Sequence, residues 1–352
     1  MDLLDKTIRE IHPVDRGMES RVRARLDNLT KPPGSLGALE DIAAKYCLAR
    51  GRTSPDMGGK IIFCFAGDHG VAAEGVSAYP REVTAQMVRN MLMGGAALNV
   101  LARHVGAEVR IVDIGVDAFF DNAQGLISKK IRRGTANMVH GPAMTTDEAR
   151  QAVEVGVELA AKAADEGATL LGAGEMGIGN TTSSSALLAT LLPCNVREVA
   201  GSGTGISGEA LARKIAVIER SLDVNRKALA DPMGALASVG GLEIAGICGM
   251  ILGAAARKVP VVVDGFISSA GALAACRIRP PAADYLFFSH LSAEAGHAVF
   301  FERFHARPIL NLDMRLGEGT GAALAMSLVE AAVRIYNEMA DFESAGVSRK
   351  GG

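Results

Sequence analysis

The chain has 352 residues, with 37 Lys and Arg against 39 Asp and Glu and a formal net charge of −2, so it lacks the bulk positive charge of a nucleic-acid scaffold. With 49% hydrophobic and 22% charged residues, its composition is that of a globular protein with a large core, which excludes a disordered segment. Aromatic residues make up 4%, with no Trp, against 41 Gly, so Ala, Val, Ile, Leu and Met must fill the interior and base-stacking platforms are disfavoured.

The amino terminus, MDLLDKTIRE, mixes charges of both signs and does not read as a signal peptide, so a cytoplasmic protein is expected by default. Helical spacing follows over residues 1–50, with Val22, Leu26 and Leu29 on one face and Leu39, Ile42, Ala43 and Tyr46 on the next. Between them KPPGSLG breaks the helix, because its prolines and glycines cannot continue it. From Lys60 the pattern changes. KIIFCFAGDHG is a short apolar run ending in glycine and polar residues, as suits a buried parallel strand that delivers a loop at its carboxyl end. The same arrangement recurs at VRIVDIG (109–115), ATLLGAGEMGIGN (168–180), VPVVVDGF (259–266) and, more weakly, DYLFFSH (284–290).

Helical patterns separate these runs, at Arg81–His104, Thr146–Glu166, Gly208–Leu222 and Ile267–Arg277. Alternation of strand and helix predicts an α/β fold, a parallel Rossmann-like sheet with helices on both faces. Ligands of such sheets bind beyond the carboxyl ends of the strands, where the loops rich in Gly, Asp and His collect. The longest apolar stretch, Ile244–Ala256, is shorter than the roughly 20 residues that cross a bilayer, and no membrane span is expected. A last helix, about Thr320–Asp341, has no strand after it. It is expected to pack with the first residues as a smaller helical domain (1–55 with 320–352) beside a large α/β domain (56–319), and Arg349–Gly352 reads as a frayed tail.

Three loops carry polar groups suited to chemistry. In GAGEMGIGNTTSSSALL (172–188), backbone N–H groups of Gly177, Ile178 and Gly179, with Asn180 and the hydroxyls of Thr181 and Thr182, would form an anion cradle at a positive helix end. It lacks the lysine of a Walker loop, and taken alone it favours a tight turn over a phosphate site. GSGTGISGEALARK (201–214) again ends at a helix, with Ser207 as the N-cap and Lys214 able to reach a phosphate or ribosyl oxygen, although an exposed helical lysine explains it as well. In NLDMRLGEGTGAALA (311–325), Glu318 sits between two glycines just before a helix, where a carboxylate can act as general base or merely complement the helix terminus.

The five cysteines have no metal-site spacing and read as reduced, mostly buried side chains. Asp68 with His69, and His290 with His297 on one helical face, are metal or acid/base candidates in principle. No HxxxH, HExxH or His/Cys cluster completes a coordination set, so structural hydrogen bonding is favoured and no metal is expected. Arg81, Arg132 and Arg133 read as solvated faces.

Taken together, KPPGSLGALE (31–40), AGDHGVAAEGVSAYPREVTAQMV (66–88), GEMGIGNTT (174–182), GSGTG (201–205), VVVDGFISSA (261–270) and LDMRLGEGTGAAL (312–324) resemble, in order and over nearly the whole chain, the nicotinate-nucleotide:dimethylbenzimidazole phosphoribosyltransferases of the nucleotide-loop stage of cobalamin synthesis. The resemblance implies transfer of phosphoribose from nicotinate mononucleotide to 5,6-dimethylbenzimidazole by a homodimer that needs no metal or cofactor. It makes Glu318 the general base and sets Glu175 and Lys214 on the nucleotide side. It assigns phosphate and ribose to the 175–181 loop, with Gly177, Ile178, Gly179, Asn180 and Thr181, and to Gly203, Thr204 and Gly205. Tyr79 and Gln86 are its choices within Ser77–Gln86 for the base pocket, and Asp264, Ser292 and Leu316 are further substrate-side candidates. Two other readings stay open: the same donor with another acceptor, such as adenine or a phenol, or a non-catalytic nucleotide-binding regulator. A regulator would need the loops but not Glu318.

Overall fold

The computed structural model describes residues 2–121, 123–203 and 205–348, so Thr204 and the Arg349–Gly352 tail lie outside the described residues. The first three helices are α1 (Leu3–Glu10), α2 (Glu19–Asn28) and α3 (Ala38–Arg50), followed by β1 (Gly59–Gly67). Next come α4 (Glu82–Leu92), α5 (Ala97–His104), β2 (Glu108–Gly115), β3 (Leu126–Ser128) and α6 (Thr146–Asp165). Then β4 (Ala168–Met176) leads into α7 (Asn180–Leu191), α8 (Val196–Val199), α9 (Glu209–Asn225), α10 (Pro232–Val239) and α11 (Leu242–Ala256). The chain continues through β5 (Val261–Val263), α12 (Phe266–Ile278), β6 (Leu286–His290), α13 (Ala295–Phe304), β7 (Pro308–Leu310) and α14 (Thr320–Glu338).

Among the described residues the strands form one sheet in the order β3-β2-β1-β4-β5-β6-β7, every neighbouring pair parallel. The order reverses between β1 and β4. That switch point is where loops from adjacent strands diverge to opposite faces and leave a crevice at the carboxyl edge. Pairing of Phe65 with Glu175 and Ala66 with Met176 brings the ends of β1 and β4 level there.

Two apolar clusters cover the two faces. One joins α1, α6, α7 and α9–α13 to Phe63, Phe65, Leu171 and Val263, and the other joins α2–α5 and α14 to Ile62, Cys64 and Val262. α14 packs on α3, with a bridge between Leu29 and Asp341. The same apolar cluster continues from α3 and α14 onto the strands, and α1 lies across the sheet on α6 and α11.

Some elements differ from the sequence reading, each for a local reason. Arg81–His104 is two helices rather than one, because Gly94 adopts φ +79° and a Cβ on Gly95 would stand 2.4 Å from Asn90 Oδ1. The helix after GSGTGISG starts at Glu209 with Gly208, not Ser207, as its cap. The apolar run at 244–256 is the buried helix α11, whose glycines let it touch α6 backbone to backbone: a Cβ on Gly249 would lie 1.8 Å from Val153 O, and one on Gly156 would lie 2.0 Å from Gly246 O. A core short of aromatics is closed by such contacts, since close packing requires that no gap be left where large side chains are missing. No helix among the described residues is long and apolar enough to cross a membrane.

Candidate active site

A cavity of about 620 Å³ opens at the carboxyl edge, within the size range of small-molecule sites. Its walls come from the ends of β4, β5 and β6, from α4, and from the turn before α14. Of the expected residues, Glu175, Gly177, Ile178, Asn180 and Thr181 line it along the β4–α7 connection. Tyr79, Gly203, Ser292, Leu316 and Glu318 close it from the other loops. The 12-residue helix α7 begins at Asn180 and turns its positive end to the cavity.

The rest stand back from the walls. Gly179 (φ +97°) caps α7, and Gly205 (φ +113°) shapes the next loop, but neither lines the cavity. Ile178 commits its N–H to Thr84 Oγ1 at 3.1 Å, so it offers the cavity its side chain instead. Lys214 is fully buried behind the wall, donating to Thr181 Oγ1 at 2.9 Å and to Gly201 O at 3.0 Å. Burial brings its ammonium down to about 8, against the opposing pull of Glu294. Gln86 is exposed and does not line the cavity; Val83 and Met87, one turn apart on α4, do. Gln86 lies about 100° round the helix from Met87.

Asp264 is also off the walls. Its carboxylate accepts from the backbone N–H groups of Gly319 (3.1 Å) and Ala322 (2.8 Å) and so ties down the start of α14. Burial raises it to about 7 even against those bonds. The turn it holds is unusual, because Gly317, Glu318 and Gly319 have φ of +84°, +66° and +101° in succession. A non-glycine residue in the left-handed region is strained, and such strain persists only where surrounding contacts hold it. Glu175 supplies one of these contacts by accepting from the Glu318 N–H, and a Cβ on Gly317 would stand 2.4 Å from Glu175 Oε1. Glu318 thus enters the cavity wall with its carboxylate buried and Oε2 without a hydrogen-bond partner, its carboxyl pushed above the ordinary range by burial.

Glu175 is fully buried, and burial, then the charges of Glu243 and Asp264, push its carboxyl up to about 8 although Asn180 Nδ2 and the Glu318 N–H favour the charged form. Folded protein therefore holds a proton on Glu175 at pH values where the unfolded chain, near 4.5, has lost it. Stability from this group is complete below about 4.5 and declines as pH rises toward about 8. Glu175→Gln removes the dependence, so its melting temperature relative to the parent should rise between pH 5 and pH 8, by an amount on the order of a few kcal/mol in unfolding free energy. A melting difference that is flat across that range would mean that Glu175 titrates normally.

Several wall residues carried no recognised signal. Arg315 and Glu294 line the cavity, the latter accepting from Gly203 N–H at 3.2 Å. His290 does not share a helical face with His297: it ends strand β6 and lines the cavity, while His297 on α13 is enclosed by Ser269 Oγ and the Ser292 N–H. His69 is buried between Glu243 (2.6 Å) and Ser183 (3.0 Å). Arg81 and Arg133 pair with Asp117, and Arg132 pairs with Glu148. Among the described residues, no group of three or more His, Cys, Asp or Glu side chains could hold a metal ion.

Comparison with known proteins identifies the family. The phosphoribosyltransferase family profile matches residues 11–347. The nicotinate-nucleotide–dimethylbenzimidazole phosphoribosyltransferase of Geobacter sp. is 56% identical over 348 residues, covering 99% of this chain and 100% of the relative. That of Chlorobaculum tepidum is 57% identical over 349 residues, covering 99% of each. The crystal structure of the Thermus thermophilus enzyme of the same name superposes with a TM-score of 0.90 at 46% identity, over 96% of this chain and 100% of that one. The chain therefore belongs to the nicotinate-nucleotide–dimethylbenzimidazole phosphoribosyltransferase family and is a phosphoribosyltransferase.

Proposed function

We propose that the protein transfers the phosphoribosyl group of nicotinate mononucleotide to 5,6-dimethylbenzimidazole, giving α-ribazole 5′-phosphate and nicotinate for the nucleotide loop of cobalamin, and that Glu318 is the general base. The observation that carries this reading is the unpartnered carboxylate oxygen of Glu318, buried in a wall of the cavity onto which the amino end of α7 also opens. Such an arrangement suits a nucleotide whose anionic end meets a positive helix terminus while its C1′ faces a base.

Nicotinate departs as a neutral ring from a pyridinium, so the leaving group is activated before it binds. The benzimidazole nitrogen attacks C1′ from the opposite face; the C1′–N bond to nicotinate breaks with its electron pair, and a β-nucleotide becomes an α-nucleotide. As the new bond forms, the remaining benzimidazole N–H becomes acidic and Glu318 takes that proton. A carboxylate whose proton affinity is raised by burial is the better acceptor. Lys214, behind Thr181 and Gly203, adds positive charge on the donor side. Positioning two rings in line with C1′ supplies much of the remainder. The homodimer implied by the family likeness belongs to the same proposal.

kcat/KM should follow a bell-shaped pH profile. Its acid limb falls as Glu318 is protonated, at a pH above the ordinary carboxylate range, and its alkaline limb falls as Lys214 loses its proton near about 8. In Glu318→Gln the acid limb should disappear; an unchanged acid limb would assign it to another group.

A second reading, the same donor with another acceptor, is favoured by the apolar character of Val83, Met87 and Met176 in the wall. Apolar pockets discriminate weakly among rings of similar size, by about 10- to 200-fold per methylene-sized difference. Incubation with nicotinate mononucleotide and a panel of benzimidazoles, adenine and phenols, with nicotinate release followed by chromatography, tests both readings. Fastest release with dimethylbenzimidazole supports the first, and faster release with another acceptor supports the second.

A further inference from the structure

The proton on His290 can be located from its neighbours. Ser289 Oγ carries one hydrogen and donates it to the backbone carbonyl of Asp264, an oxygen that can only accept. At its 2.9 Å contact with His290 Nδ1 the serine must therefore accept, and the imidazole must donate. Nδ1 thus holds the ring proton and Nε2 holds a lone pair. Burial pulls His290 below the ordinary histidine range, so a second proton is disfavoured at neutral pH. The free edge of the ring lies beside Gly265, itself in the cavity wall: a Cβ there would stand 3.3 Å from Cε1 and 3.6 Å from Nε2. Among the described residues no side chain or backbone group donates to Nε2.

A fixed acceptor in a binding cavity selects for a donor, and the reactants offer few. The phosphate and the nicotinate carboxylate have only acceptors at neutral pH, and the benzimidazole N–H is assigned to Glu318. The two ribose hydroxyls remain. Glu294, another acceptor in the same wall, makes this side of the cavity suited to a pair of hydroxyls. We propose that His290 Nε2 accepts a hydrogen bond from a ribose hydroxyl of the nucleotide donor, making His290 a specificity-determining residue that reads ribose against deoxyribose. The proposal rests on the phosphoribosyl-transfer reading above.

The test compares kcat/KM for nicotinate mononucleotide and its 2′-deoxy and 3′-deoxy analogues in the parent, His290→Phe and His290→Gln. Intrinsic differences in reactivity between donors cancel when each variant's preference is divided by the parent's. The parent should lose roughly 5- to 100-fold on one of the two deoxy donors, the usual effect of leaving a buried acceptor unpaired. His290→Phe should show a comparable loss with the full donor and little further loss with that deoxy donor. His290→Gln, which keeps an acceptor oxygen, should recover part of the preference. Unchanged preference in His290→Phe, shown to be folded by its melting curve, overturns the proposal; if the Phe variant does not fold, His290→Leu, which likewise has no acceptor, decides. A parent that turns over the full donor, with a ratio of Phe variant to parent that is the same for all three donors, overturns this inference alone. A parent inactive on every donor overturns the transfer reading and this inference with it.

Discussion

Glu318→Gln should lower kcat by about 10²- to 10⁴-fold, the usual contribution of a general base. Gln keeps the size of the side chain and its hydrogen-bonding capacity but cannot take the benzimidazole proton. Folding should be unaffected, since Oε2 holds no other group in place. The donor Kd, measured calorimetrically, should change little, because the phosphate and ribose are assigned to other walls of the cavity. A loss confined to kcat is the signature of an interaction made only in the transition state. Turnover within about threefold of the parent, far short of that range, would reduce Glu318 to a strained turn residue.

Gly174→Ala should lower kcat by about 10²-fold without touching any reacting group, the effect of a misplacement of about 1 Å. Gly174 lies in β4 directly beneath the Glu318 turn, and a Cβ there would stand 2.3 Å from Glu318 O, 2.8 Å from its carbonyl carbon and 2.9 Å from Gly319 N. These are backbone atoms that no rotamer change can move aside. The turn is pinned at its other side by Asp264, so it must distort and carry the Glu318 carboxylate off line. In the double variant Gly174→Ala/Glu318→Gln the kcat loss should barely exceed that of Glu318→Gln alone, as expected for two residues that act as one unit. Full additivity would place the effect of Gly174 elsewhere. Gly177 does not offer an equivalent test of the phosphate loop, since a Cβ there would meet Gly67 O at 2.4 Å and a substitution would probe folding first.

How far these groups were legible in the sequence depends on whether their signal is local. The longer strands announce themselves as apolar runs closed by glycine, and Glu318 stands out because its glycine neighbours allow no other packing role. The strands β3 and β7 have three residues each and, unlike the equally short β5 within VPVVVDGF, lie in no longer apolar run. Helix α11 hides its periodicity because it is apolar on every side, its contacts with α6 being made by glycine backbone. On α4 the sequence does not give the phase of the helix: Val83 and Met87 line the cavity where Gln86 is the sequence's candidate. Asp264 follows β5 directly, but its partners are the N–H groups of a helix that begins more than 50 residues later, a pairing set only by the β5–α14 contact. Glu294, Arg315 and His290 reach the cavity through the order of the strands, which sets the end of β6 one strand beyond β5 from β4 and brings the turn before α14 to the same edge.

The most direct test of the central claim is the configuration of the product at C1′. Parent enzyme, nicotinate mononucleotide and 5,6-dimethylbenzimidazole are incubated, and the nucleotide formed is examined by proton NMR for Overhauser contacts across the ribose. In-line displacement with Glu318 as base predicts the α-anomer, formed in equal amount with nicotinate and only when the base is present. A β-nucleotide, or nicotinate released at the same rate without the base, would contradict it.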